Sequence, residues 1–175
     1  MTAVANTAFT AAQFNQYVRD NLNETAPAKA TGANQIFVST GANAIAARTP
    51  SSHFVGANET TTSTTYTDLT TTGPTIAVGT GTRAIVIMNT QIWASGNATA
   101  WASYAVTGAS SISGSDSRGV STRVVTGGDA NAGPRISAVQ LEAGLTAGTN
   151  TFTMQYRTTA NTARYDNRHI VIFPL

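Results

Sequence analysis

The chain has 175 residues, only 10% of them charged, with a formal net charge of +2. A soluble domain usually carries roughly 25% charged residues, so the wet surface here must be built from hydroxyls and amides, while 41% hydrophobic content excludes charge-driven disorder. The single lysine (Lys29) and the scattered arginines form no basic stripe for nucleic acid. Cysteine is absent, which excludes disulfides and thiolate metal sites, and no run approaches the ~18 apolar residues of a membrane helix.

In chain order, Met1 to Ala8 are small and weakly polar and read as an extended arm. Thr10 then stands three residues before Gln13, the spacing of a capping box, with Phe9 and Phe14 at the flanking positions of a hydrophobic staple. Phe14, Tyr17, Val18 and Leu22 recur at helical spacing and predict a helix of about thirteen residues with one apolar stripe. A lone helix of that length is marginal in water, so the stripe must pack on something. It is read either as a lid on its own domain or as an anchor that docks on a partner chain or on copies of itself.

Ala26 to Asn58 is rich in Ala, Gly, Thr and Asn and reads as an extended tether carrying two short extended pieces, Gln35–Val38 and Ala44–Ala46. The triplet Gly-Ala-Asn occurs at 32, 41 and 56, as a turn preference without a solenoid period. The expected boundaries are therefore an arm, helix and tether over 1–58 and a β-domain over 59–175.

Tyr66–Leu69 is the expected first strand of that domain. Thr82–Trp93 is the densest apolar run, bracketed by Gly79-Thr80-Gly81 and Ser95-Gly96-Asn97. Alternation puts Ala84, Val86, Met88 and Ile92 on one face and Ile85, Ile87, Asn89, Gln91 and Trp93 on the other, the pattern of a central sandwich strand. Further strands follow at 98–107, 119–126, 135–143, 149–158 and 168–175, with Phe152, Met154 and Tyr156 inward. Seven or eight short strands without an intervening helix predict a mainly β chain, an antiparallel β-sandwich or jelly-roll-like domain.

The catalytic inventory is thin. His53 and His169 are the only histidines, and Asp116, Asp129, Glu142 and Asp166 the only later carboxylates. No Gly-x-Ser-x-Gly elbow occurs, and Gly79-Thr80-Gly81 lacks the Lys of a phosphate loop. Asp129–Gly133 resembles the start of a calcium loop but lacks its distal Glu. The expectation is no enzyme, no cofactor and no bound metal. Trp93, Trp101 and Tyr104 are the aromatic residues that an exposed face would offer to a glycan, although Trp101 and Tyr104 have opposite strand parity, so at least one points into the core.

The segment Phe9-Thr10-Ala11-Ala12-Gln13-Phe14-Asn15-Gln16-Tyr17-Val18-Arg19-Asp20-Asn21-Leu22-Asn23-Glu24-Thr25-Ala26-Pro27, with Gly41-Ala42-Asn43-Ala44-Ile45 after it, resembles the N-terminal part of minor tail and other virion proteins of phages infecting actinobacteria. Tyr66 to Leu175 is similar to the β-domains that end such proteins, most clearly over Gly144–Thr153. The chain lacks their collagen-like or coiled-coil shaft. The resemblance implies a virion surface protein, a capsid decoration (head-fibre) or minor tail protein, made in the host cytoplasm without a signal peptide. It implies homotrimers and attachment to capsid or tail proteins through the N-terminal part, with Phe9, Phe14, Tyr17, Val18 and Leu22 as the attaching residues. No nucleic-acid contact or membrane insertion is expected. The competing classes are a carbohydrate- or receptor-binding module, with a host-surface glycan as partner, and a glycan hydrolase.

Overall fold

The structure, a computed structural model, describes residues 8, 10–23, 25–124 and 133–175. The chain is mainly β and divides into two compact units, Met1–Thr49 and Pro50–Leu175.

In the first unit the helix starts as its sequence dictates. The Gln13 N–H donates to Thr10 Oγ1 at 3.2 Å and the Thr10 N–H donates to Gln13 Oε1 at 3.0 Å, which closes the capping box. The helix then departs from α geometry: Ala11–Phe14 is α-helical, Asn15–Arg19 is π-helical, and Asp20–Asn23 is α-helical again. A π turn holds an extra residue per hydrogen-bonded ring, so a stripe written on α spacing is rotated out of line within it. Tyr17 and Leu22 stay exposed, Phe14 is about half exposed at 49%, and Val18 is half-buried. Phe9, the proposed staple, lies outside the described residues.

The expected tether is instead a hairpin. β1 (Ile36–Gly41) pairs antiparallel with β2 (Ala44–Arg48), from Ile36 opposite Arg48 to Gly41 opposite Ala44. The Gly-Ala-Asn triplet explains it, because Asn43 takes φ 57° at the turn, a left-handed conformation that Asn tolerates better than other side-chain-bearing residues. Asn34, in the preceding triplet, does the same at φ 60°.

Among its described residues the second unit holds nine strands: β3 (Ser51–Val55), β4 (Glu59–Thr61), β5 (Thr75–Thr80), β6 (Arg83–Ala94), β7 (Ala98–Gly108), β8 (Val120–Val124), β9 (Arg135–Ala143), β10 (Gly148–Thr158) and β11 (Ala163–Pro174). One sheet has the order β3-β11-β6-β9, with β4 also on β11; the other has the order β5-β10-β7-β8. All pairs are antiparallel. Most connections cross from one sheet to the other, and only β3–β4 and β7–β8 follow each other within a sheet.

Between the sheets lies one core. Ala84, Val86, Met88 and Ile92 of β6 face Tyr104 and Val106 of β7 and Phe152, Met154 and Tyr156 of β10, as their alternation predicts. Alanines at 94, 98, 100, 102 and 163 leave room for three buried tyrosines. A buried phenol needs a partner, and each has one: Tyr104 donates to Glu142 Oε2 at 2.7 Å, Tyr156 to the Gly73 carbonyl at 2.9 Å, and Tyr165 reaches from β11 to the Trp101 carbonyl at 2.9 Å.

Three expectations change. Tyr66–Leu69 is not a strand; only Thr67 makes a bridge, to Tyr156. The last strand begins at Ala163 instead of 168, because a bulge between Asp166 and His169 shifts its inward parity from odd to even residues and hides the alternation. The expected boundary at 58 falls inside the second unit, since β3 pairs Ser51 to Val55 with Ile172 to Arg168. A chain starting at Pro50 is therefore expected to unfold cooperatively with an unchanged midpoint. One starting at Asn58 loses β3 and its ladder, at roughly 0.5–1.5 kcal/mol per hydrogen bond, and should melt lower by calorimetry. Equal midpoints for the two would show that β3 contributes nothing.

Candidate functional site

The outer face of the β5-β10-β7-β8 sheet carries an open groove of about 620 Å³. Its floor is Ala105, Val106 and Thr107 of β7 with Gln155 and Arg157 of β10. One wall is Thr64-Thr65-Tyr66; the other is Ser111-Ile112-Ser113-Gly114. Two short bridges set the walls. Thr67 and Tyr156 exchange backbone bonds at 3.1 and 2.9 Å, which seats Tyr66, and Val106 and Ile112 exchange theirs at 2.8 and 2.9 Å. Gly114 packs closely here, since a Cβ there would lie 3.1 Å from Tyr66 Cγ and 3.3 Å from Gln155 Oε1, tight enough that these side chains would have to shift slightly.

Arg157 is the fixed point of the groove. Its guanidinium lies 5.4 Å from the Tyr66 ring centroid and 5.3 Å from that of Trp101, so two aromatic rings hold it by cation–π attraction. It grips Asp116 in a bidentate pair, Nε to Oδ1 at 3.0 Å and Nη2 to Oδ2. Tyr66 Oη donates to Asp116 Oδ1 at 2.9 Å. The bond from Arg157 outweighs partial burial and, with the Tyr66 phenol, holds the Asp116 carboxyl below its ordinary range. Burial first, then the neighbouring carboxylate, pushes the Tyr66 phenol up. Gln155 is loosely held, its Nε2 3.5 Å from Asp68 Oδ1, beyond a good hydrogen bond.

A second polar cluster is structural. Arg168 is fully buried; Nη2 donates to Glu59 Oε2 at 2.8 Å, and Nη1 donates to the carbonyls of Thr71 and Gly73 at 3.2 and 3.3 Å. Thr71 donates to Glu59 Oε1 through its N–H at 2.9 Å and its hydroxyl at 2.8 Å. Burial works to raise the Glu59 carboxyl, but these bonds and the Arg168 charge outweigh it, and it sits below the ordinary carboxylate range. A third cluster joins the sheets, with Arg118 Nε donating to the buried Glu142 at 2.6 Å beside Tyr104.

The structure does not bring Trp93, Trp101 and Tyr104 together. Trp101 lies on the groove's sheet, against Arg157. Trp93 is half-buried on the outer side of the other sheet, under Arg164 at 5.7 Å. Tyr104 has no exposed surface and no ligand reaches it, which overturns it as a glycan contact; its even position on β7 points to the core. His53 is not in a tether but on β3, where its Nδ1 accepts from the Thr75 N–H at 2.9 Å. His169 meets the edge of Phe54 at 6.1 Å. Asp129 lies outside the described residues, and among those described no cluster of three His, Asp or Glu is placed to hold a metal. Tyr66, Gln155 and Arg157 were missed as a group; the available signal was the odd parity of 155 and 157 in β10, which puts them outward beside Trp101.

The chain matches no family model, and no curated protein is significantly similar to it. What is established is a class, a mainly β chain whose larger unit is sandwich-like.

The carboxylates Glu59 and Asp116 make the stability pH-dependent with a definite sign. Both have depressed folded-state values, so their contribution is present above the unfolded carboxylate range near pH ~4 and is lost as pH falls through the folded values. Glu59→Gln should flatten this acid limb and, by leaving Arg168 buried without its counter-charge, cost about 3–5 kcal/mol in urea unfolding. A cost under about 1 kcal/mol would place the pair among those that contribute little.

Proposed function

We propose that the chain is a non-enzymatic structural protein of a phage virion, displayed on the particle surface as a capsid decoration (head-fibre) or minor tail protein and attached through its first unit. The observation that carries this reading is the order of the sheets. With β3 as strand one and β5 to β11 as strands two to eight, the orders are 1-8-3-6 and 2-7-4-5, which supports reading the unit as an eight-stranded jelly roll. Jelly rolls are the common architecture of viral coat domains and of lectins. The second unit carries the ion pairs of Arg118 with Glu142 and Arg168 with Glu59, and the helix of the first unit leaves Tyr17 and Leu22 exposed, the latter at 61%. Exposed apolar side chains on a short helix suit a surface that is covered on assembly.

Copies of the chain are each other's partners in this reading, as a homotrimer. On the outer face of the β3-β11-β6-β9 sheet, Ile85 and Ile87 stand between Phe173 and Val171 on β11 and Leu141 and Val139 on β9. Val139 is 68% exposed and Leu141 51%. None of these six side chains is charged.

Three measurements test this. Immunogold labelling with antibody to the second unit should decorate intact particles, and Tyr17→Ala with Leu22→Ala should abolish incorporation without moving the melting of the second unit. Val139→Asp with Leu141→Asp should lower the sedimentation coefficient to that of a monomer. A monomeric wild-type chain, or full incorporation of the helix variant, would sink the corresponding half of the reading.

A further inference from the structure

We infer that the groove on the β5-β10-β7-β8 sheet binds a neutral saccharide, with Tyr66, Gln155, Ser111 and Ser113 as its contacts and Arg157 as the residue that positions them. The inference stands on the groove alone and does not need the virion reading.

Four features define the ligand. The first is size: about 620 Å³ lies within the roughly 300–1,000 Å³ of small-molecule sites. The second is charge. Among the described residues the only cation lining the groove is Arg157, and Asp116 neutralises it through a bidentate pair, so an anion finds no unmatched positive group among them. The third is hydrogen-bonding capacity. Thr64, Ser111 and Ser113 present exposed hydroxyls, each able to donate and accept. The Gln155 amide is the sharpest of these groups. Its Oε1 has no donor among the described residues, and its Nε2 has only Asp68 at 3.5 Å, so both ends are free to exchange water for a ligand at little cost. A sugar's vicinal hydroxyls carry donor and acceptor on one atom and satisfy such an amide from both sides.

The fourth feature is the apolar component. The Tyr66 ring and the half-buried Ile112 both line the groove and offer apolar surface to the C–H face of a pyranose or furanose ring. A flat aromatic wall, a planar amide and short hydroxyls together match a polyhydroxylated ring better than a peptide. A peptide would require backbone partners, and the groove's floor is the face of a sheet whose backbone is already paired.

Pre-organisation completes the argument. Arg157 is clamped between two rings and a carboxylate, and Tyr66 is held by the same carboxylate and by the Thr67 bridge, so the wall is set before any ligand arrives. A site whose groups are already fixed loses less entropy on binding.

The test uses the full-length, isotope-labelled chain without particles, so that its outcome is independent of assembly. The probes are neutral tetrasaccharides of glucose, galactose, mannose and arabinose, with a sialylated trisaccharide and a hyaluronan tetrasaccharide as acidic arms. At least one neutral probe should shift the Gln155 side-chain amide and the Tyr66 ring signals with a roughly millimolar or tighter Kd. Gln155→Ala should weaken that binding about tenfold or more, and Ser111→Trp, an exposed substitution that fills the groove without entering the core, should remove it. Retained melting midpoints separate both from unfolding. No shift with any neutral probe up to about 20 mM, binding that survives both variants, or shifts with the acidic probes alone would each overturn the inference.

Discussion

Arg168 carries a full charge with no exposed surface, a costly position that its two terminal nitrogens offset with acceptors while its buried Nε has none among the described residues. The acceptors come from three places in the sequence: Glu59 on β4 and the carbonyls of Thr71 and Gly73 on the loop into β5. The bulge in β11, with Asn167 at φ 48°, turns residue 168 inward and so delivers the charge to them. The Tyr156 ring, 5.4 Å away on β10, covers it. One side chain on β11 thus reaches the edge strand of its own sheet, the loop that enters the opposite sheet, and the core face of that sheet. The apolar core supplies most of the drive to fold, but it is not directional; this charge and its acceptors select the arrangement.

The strands that sequence made legible are those with clean alternation. β6 and β10 lie within a residue of their expected limits, because each is buried on one face and the period-two pattern is undisturbed. β3, β4 and β5 escaped notice for physical reasons. β3 and β4 are edge strands of three to five residues, without an apolar face, and β5 is a Thr-Ile-Ala-Val run merged into a glycine turn. The bulge at 166–169 erased the alternation of β11 over its first half. In the first unit, the capping box was legible because it depends on two residues three apart, whereas the π turn depends on nothing that spacing reports.

The candidate groove was only half legible. Trp101 was found by residue type, and its outward direction follows from parity. Tyr66 lies on an irregular loop, where no periodicity says which way a ring points. Its partnership with Asp116, 50 positions away, exists only once β7 and β10 are paired and the segment at 115–118 has folded back. Residue type named Tyr104 as readily as Trp101, and only its depth separates the two.

The ends of the second unit have a mechanical consequence. Ser51 lies opposite Ile172, and the Gly81 N–H donates to the Leu175 carbonyl at 2.8 Å, so the chain enters and ends at the same end of the sandwich. A pull transmitted through Thr49 into Pro50, and resisted by the body of the sandwich, runs along β3. It stretches the whole ladder between β3 and β11 at once, in shear, where a pull at right angles would peel its bonds in succession. Resistance to such a load is a rate, set by the barrier to separating the two strands and not by the equilibrium stability of the fold. An edge strand of five residues, negligible as core, is then the first element of the sandwich to take such a load.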